Sequence, residues 1–484
     1  MKDAARPTRR SLKADVAIVG AGSAGLVAAS GAAQLGLKVV LFEKGAMGGD
    51  CLNYGCVPSK ALIAAGRAAQ AARDAHRLGV HATDLHVQWS DVSAHVRGAI
   101  QTIAPNDSQE RFEGLGVTVI RESAAFADER TLVSESVEVR ARKIAIATGA
   151  RAFIPPIPGL VAAPYLTNET VFDLRAPPSR LLILGAGAIG VELGQAFRRL
   201  GVDVVLVEAK DMLVSADPEA RAVVRERLEL EGVAIRDGAD VVRVEHGDDE
   251  IALILKAGSV EERVAGSHLL VAAGRRPVVE GLDLERAGVA HDARGIRTDA
   301  QLRTSNRRVW ALGDVAGREQ FTHVAGAHGS LFVRNALFRV SPGAASAIAP
   351  PRTVFAEPEL AEVGLSEEAA RARYGARLRV VRWSFEENDR AITERAAEGF
   401  AKLIVAPGGR VVGGVVVGEG AGELIALVQF AIANKNKIGQ LASGFLPGYP
   451  TRTEALKRAA GQYYAGALFS KPVRAAVSIL SRLP

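Results

Sequence analysis

An α/β fold with two Rossmann-like halves and a smaller α+β end is predicted by three observations. A β-branched strand runs into G-x-G-x-x-G over Ala14–Gly25, the same unit returns over Arg180–Gly190, and beyond Pro350 the sequence changes to alternating β-branched segments followed by alanine-rich helices. The 484 residues exceed one ordinary domain. Such a length implies roughly three domains, each able to bury its own core.

Bulk properties exclude several roles. The formal charge of +6 sits on scattered arginines, without the basic block or interleaved aromatics of a nucleic-acid surface, so nucleic acid is not expected as a partner. No run of about eighteen apolar residues escapes a charge, and the opening MKDAARPTRR leads into ADVAIVG and glycines without an apolar leader core or cleavage site. A soluble, cytoplasmic protein is therefore expected. Cys51 and Cys56 are its only cysteines, which is no disulfide framework of the secreted type. A reactive pair is the leading expectation, and two buried apolar side chains the alternative.

In the first unit, ADVAIVGAGSAG, Gly20 allows the tight bend, Gly22 lets a pyrophosphate approach the backbone, and Gly25 lets the next helix pack on the sheet. The following strand, LKVVLFEK, ends at Glu43, where a ribose 2′-hydroxyl would be held. The second unit repeats this with Gly185, Gly187 and Gly190, a helix VELGQAFRRLG, and a strand VDVVLVEA ending at Glu208. Each acid lies 23 residues after its first glycine. Two matched units imply two dinucleotides, most simply a nicotinamide that passes hydride to a flavin, with FAD in the first unit. Each unit has a later strand running into glycine: KIAIATGA, with Thr148 and Gly149, and HLLVAAGRRP, with Gly274 and Arg275. A carboxylate at Glu208 accepts from free ribose hydroxyls and repels a 2′-phosphate, so NADH is favoured. Lys210, Arg198 and Arg199 nearby keep NADPH as the alternative.

The segment GGDCLNYGCVPSK follows Glu43 directly. Gly45, Gly48 and Gly49 make a flexible approach, and SKALIAAGRAAQAARDAHRLG reads as a helix. If CLNYGC begins that helix, the two thiols lie about one turn plus one residue apart. Gly55 then permits the adjustment a disulfide needs, and the helix N-terminus favours a thiolate.

GGDCLNYGCVPSKAL resembles, over its whole length, the redox-active disulfide segment of the FAD-dependent pyridine nucleotide-disulfide oxidoreductases. The resemblance implies that Cys51 is the interchange thiol and Cys56 the thiol facing the flavin. It further implies that Lys60 lies near flavin N5 with Glu192 as its acidic partner, and that Gly49 stands among the cofactor-binding positions. RVWALGDVAG continues it: Gly313 and Asp314 match the segment that holds the ribityl chain, and THVAGAHGSLFVRNAL begins a helix over the flavin. His323 and His328 read as packing or surface residues, and no resident metal is expected. The likeness runs from Ala14 to about Ala465. It implies an FAD-binding domain with the redox disulfide at 1–155, an NAD(P)-binding domain at 156–278, a returning FAD-binding segment at 279–348 and a C-terminal dimerisation domain at 349–484. A homodimer with active sites shared across the interface follows.

One departure bears on chemistry. Where disulfide reductases of the family place a histidine base, GYPTRTEALKRAA has Tyr449, while Pro450, Thr451 and Glu454 remain. A tyrosine of pKa about 10 cannot replace a histidine of about 6.5 as a base at neutral pH. This tyrosine, with FAEPELAEVGLSEEAA and ENDRAI, resembles the mercuric reductase branch, but no C-terminal cysteine pair follows. The expected function is NAD(P)H oxidation through FAD to the Cys51/Cys56 pair, and onward to a disulfide, a soft metal ion or another acceptor. A lipoamide-type enzyme and a quinone-reducing diaphorase are the alternatives, and a non-enzymatic NAD(H)-binding module the rival class. The tail LFSKPVRAAVSILSRLP is expected to pack on the protein itself rather than on a membrane.

Overall fold

The computed structural model describes residues 9–82, 84–258, 260–338, 343–345 and 349–483; the first eight residues of the basic opening, the expected segment edge at 348 and Pro484 lie outside them. Strand β1 (Arg10–Val19) leads into α1 (Ser23–Gln34) and β2 (Val39–Phe42). Val16 pairs with Val39 and Val19 with Phe42 in parallel, so β1 and β2 end level and Gly20 and Glu43 leave the sheet at one edge. Ala28, Ala29 and Ala32 are fully buried, which lets α1 lie close on the strands.

After β2 the chain forms α2 (Gly49–Asn53) and then α3 (Cys56–Asp74). The single helix expected from Cys51 onward is therefore two helices, broken at Tyr54 and Gly55. The reason is steric. A Cβ on Gly55 would lie 3.0 Å from the Asp50 carbonyl oxygen, a tight approach where the chain folds back on α2 and which the small residue eases. Cys51 ends up inside a short helix, and Cys56 opens a long one.

β3 (Val137–Ile146) flanks β1 on its other side in parallel, and the strand Val309–Ala311 joins the outer edge of β3. The chain thus returns to this sheet after building a second one. That second sheet contains β4 (Arg180–Leu184), β5 (Asp203–Glu208) and β6 (His268–Val271), with α4 (Ala188–Arg199) between the first two. Its five parallel strands run in the order 234–237, β5, β4, β6, 165–166. Leu181, Leu182 and Ile183 are all buried, as expected of a parallel sheet covered on both faces. α5 (Thr322–Phe332) then packs against α1.

The C-terminal region is a five-stranded antiparallel sheet, in the order 352–354, 359–364, 411–418, 400–405, 379–384. The helix Ala421–Ala433 and α6 (Glu454–Leu468) pack on it through buried residues such as Ile425, Val428, Leu456 and Ala459. α7 (Lys471–Leu480) corrects one expectation, since none of its residues is buried within the subunit. Ser470 is extended (φ −66°, ψ 153°) and Pro472 follows, so a new helix starts on a different course from α6. Among the described residues no helix is long and apolar enough to cross a membrane.

Candidate active site

Both glycine units adopt the same geometry. Gly20 has φ +106° and Gly185 φ +110°; a Cβ on either would lie 2.3 or 2.4 Å from the carbonyl oxygen of Ala147 or Ala272 on the neighbouring strand. Gly25 and Gly190 bring their helices onto the turn, where a Cβ would stand 1.8 or 1.9 Å from the Gly20 or Gly185 oxygen. At Gly187 a Cβ would meet nothing within 4 Å, which leaves that backbone open to a ligand. Gly22 is open as well, apart from Gly49, whose own Cβ would come within 2.6 Å of the Gly22 Cα. The acids match too. Glu43 accepts the N–H groups of Ala21 (2.7 Å) and Gly45 (2.6 Å), and Glu208 those of Ala186 (3.0 Å) and Lys210 (3.1 Å). Each carboxylate is fixed beside its glycine turn with lone pairs to spare.

A single cavity of about 1680 Å³ joins the two units. It is larger than the roughly 300–1,000 Å³ of one small-molecule site. Cys51, Cys56 and Lys60 line it together with Gly22 and Gly187.

The two cysteines are free thiols with opposed acidities. The Cys56 pKa is lowered to about 6, first by the hydrogen bond from Cys51 and then by the Thr322 hydroxyl, 3.2 Å from its sulfur, and the Lys60 charge; burial works against them. The Cys51 thiol is pushed up, chiefly because its proton is shared with the Cys56 sulfur and because it is buried. At neutral pH the pair is one thiolate at Cys56 and one thiol at Cys51. Thr322 had no signal in the sequence, because 266 residues separate it from Cys56.

Lys60 Nζ lies 2.8 Å from Glu192 Oε2 and 4.4 Å from the centre of the Phe355 ring. Glu192 is buried and its other oxygen accepts the Phe355 N–H at 3.0 Å, so it is no surface carboxylate. This one acid ties α3 and α4 to the start of the C-terminal region. Asp50 makes a comparable link, accepting from the buried Asn168 at 2.9 Å and lying 3.2 Å from Arg275. Asn168 belongs to no motif, and Phe355, which opens FAEPELAEVGLSEEAA, carries no sign there of its place beside Lys60 and Glu192.

Residues 14–329 match the pyridine nucleotide-disulphide oxidoreductase family, and residues 350–460 its dimerisation domain. The chain belongs to this family. It is 37% identical to mercuric reductase of Streptomyces lividans over 92% of this chain and 95% of that one. It is 36% identical to dihydrolipoyl dehydrogenase of Thermus scotoductus, over 92% and 96%. Among solved structures, LpdA of Mycobacterium tuberculosis superposes with a TM-score of 0.84 at 28% identity, covering 93% of this chain and 99% of that one. The Cu(II) complex of the HOCl-induced flavoprotein disulfide reductase RclA of Escherichia coli gives 0.81 at 27%, covering 92% and 98%. The chain is thus a flavoprotein disulfide oxidoreductase with the family's dimerisation domain.

The family is FAD-dependent and uses pyridine nucleotides, and the residues fit both groups. The test is Asp314: among the described residues its half-buried carboxylate has no hydrogen bond, only Arg275 Nε at 3.9 Å, and burial raises its pKa. It is an acceptor facing the cavity with capacity unused. Gly313 places it with φ +71°, and the Gly313 N–H donates to Nδ1 of the buried His328 at 3.1 Å. His328 is therefore an interior packing residue, held neutral with its pKa lowered to about 4 by burial. His323 stacks on Phe321 and lines the cavity. Thr148 donates to the Val278 carbonyl at 2.7 Å, Gly149 turns with φ +69°, and Gly274 turns with φ +119°. These glycines bring both later strand ends to the cavity wall, where Arg275 donates to the Ala150 carbonyl at 2.7 Å.

Tyr449 and Glu454 are not brought to the cysteines within one subunit, for neither lines the cavity. Tyr449 is 73% exposed and donates to Asp389 at 2.8 Å, a bond that raises the phenol pKa. Asp389 lies in the ENDRAI stretch and Tyr449 in the GYPT stretch, so the structure joins two segments that the sequence shows only separately.

Proposed function

We propose that the protein uses NADH to reduce a soft metal ion held by Cys51 and Cys56, with the active site completed across the homodimer. What supports this reading is a thiolate-bearing dithiol on the cavity wall of a chain that has Tyr449 at the position where, by resemblance, disulfide reductases would have a histidine base. The bond to Asp389 makes the tyrosine a weaker acid still, so it donates a hydrogen bond at pH 7 and does not collect the Cys51 proton. Interchange with a disulfide needs that proton removed before Cys51 attacks. Metal binding removes it by displacement: the ion meets the Cys56 thiolate first and then replaces the proton on Cys51.

FAD would be held by Gly20, Gly22, Gly25, Glu43, Gly49, Thr148, Gly149, Gly313 and Asp314, and NADH by Gly185, Gly187, Gly190, Glu208, Gly274 and Arg275. Bound flavin supplies the means of taking a hydride from nicotinamide and handing two electrons to the sulfur pair. Overall, two electrons leave the nicotinamide and a divalent ion such as Hg(II) becomes the element. Lys60, fixed by Glu192 and Phe355, puts a positive charge beside the Cys56 thiolate. Glu208 favours NADH because it accepts ribose hydroxyls and repels a 2′-phosphate. Cys51 and Cys56, the two cysteines of the 484 residues, both line the cavity and would take the ion themselves.

The deciding experiment offers Hg(II), Cu(II), lipoamide, glutathione disulfide and quinones to the wild type and to Cys51→Ser, each with NADH and with NADPH. Metal-dependent NADH oxidation in the wild type, lost in Cys51→Ser while quinone reduction persists, is expected. Turnover of lipoamide with none of the metal ions would replace this reading with a disulfide reductase, and a preference for NADPH would overturn the role of Glu208.

A further inference from the structure

α7 lies outside both segments that the family shares, since the dimerisation match ends at residue 460. Its residues separate cleanly by helical position. Val473, Ala476, Val477 and Leu480 recur at the spacing of one helix face, with Ile479 at its edge, while Lys471, Arg474 and Ser478 occupy the other. The apolar face is open, Val477 being 54% and Leu480 62% exposed. After Glu454 the chain carries five Lys or Arg and no Asp or Glu. Residues 455–483 are therefore a segment with only cationic side-chain charge, and they carry an uncovered amphipathic helix.

We propose that α7 docks on an anionic lipid surface, lying in the plane of the interface with Val473, Val477 and Leu480 in the acyl boundary and Lys471 and Arg474 at the headgroups. Three features select this occupant. The positive charge is unrelieved, which complements acidic headgroups and gives no reason for two copies to approach each other. The basic residues flank the apolar strip, as a helix lying flat in an interface requires. The helix also falls beyond the residues that match the dimerisation domain. At ten residues α7 is too short to span a bilayer. The contact is consequently peripheral and reversible, and each dimer carries two such helices.

The test is co-sedimentation of the full-length, FAD-loaded protein with vesicles of phosphatidylcholine alone or mixed with phosphatidylglycerol. Binding only to the mixed vesicles, weakened by added salt, is expected. Val477→Glu/Leu480→Glu should reduce the bound fraction at least about tenfold while flavin content and NADH-driven flavin reduction stay unchanged. Lys471→Gln/Arg474→Gln/Arg482→Gln should lose the preference for the anionic surface. No sedimentation with mixed vesicles, or sedimentation indifferent to the glutamate pair, overturns the proposal. So does a fall in the mass of the assembly formed by the glutamate variant in solution, because a second copy would then be what covers the face.

Discussion

At the scale of single residues the site rests on one asymmetry, a thiolate at Cys56 beside a thiol at Cys51. The pKa of Cys56 is depressed, so the thiolate persists above about 6 and disappears below it. In the reduced holoenzyme, alkylation of Cys56 by iodoacetamide should therefore rise through about pH 6 and level off before pH 8, whereas an unperturbed cysteine titrates near about 8.5. Cys51 should react far more slowly across that range. Thr322→Val removes a hydroxyl that stabilises the anion, and the Cys56 midpoint should move up by about one pH unit. Peptide mass spectrometry of the alkylated protein reads both cysteines separately. A midpoint that stays near 6 in Thr322→Val would strip the threonine of this role and leave Cys51 and Lys60 to hold the thiolate.

At the scale of elements the two strand–turn–helix units share one shape, and a single added methyl group separates their tasks. Gly190→Ala would drive a Cβ into the Gly185 carbonyl, displacing α4 from the second turn without touching the first. Flavin absorbance should survive, while flavin reduction by NADH falls about a hundredfold, the usual result of an ångström-scale misplacement. Gly25→Ala should do the reverse and yield protein poor in flavin. Equal loss of flavin in both variants would show that the units do not act separately. These units were legible in the sequence because all their determinants lie within a few dozen residues: a strand, a bend only glycine can make, a helix, and an acid at the end of the next strand. The cysteine segment was legible as a reactive pair but not as two helices. At the break Gly55 lies close against Asp50, and a pattern of apolar residues carries no trace of that approach. Glu192 as partner of Lys60 could be named only by resemblance. Its burial beneath Phe355, the Asp50–Asn168 bond and the Thr322 contact are long-range products of packing. The exposure of α7 was hidden for the same reason, since amphipathicity shows that a face wants cover without saying whether the subunit supplies it.

At the scale of the whole molecule Tyr449 poses the question, because it stands away from the cavity of its own subunit and yet, by resemblance, falls where the family's disulfide reductases would have a histidine. With the dimerisation domain present, the partner's cavity is the site it would serve. To act there the phenol would have to turn its single proton away from Asp389, its acceptor in the subunit, and donate it to a thiolate or to the acceptor bound on it. Tyr449→Phe should lower acceptor turnover about tenfold, the worth of one charge-assisted hydrogen bond, and leave the NADH-to-flavin half-reaction intact. Asp389→Asn should not reproduce this loss, because it weakens the competing acceptor and leaves the phenol proton in place. Tyr449→His should raise activity toward small disulfides, for an imidazole can take the Cys51 proton at pH 7 and Glu454, in the first turn of α6, is available to orient it. If Tyr449 only packs within the interface, the histidine variant loses dimer mass and the phenylalanine variant keeps its acceptor rate. Stopped-flow rates of the two half-reactions, measured beside the mass in solution, separate these outcomes. An unchanged acceptor-side rate in Tyr449→Phe would remove the tyrosine from the chemistry and leave the thiol pair to act without a partner from the second subunit.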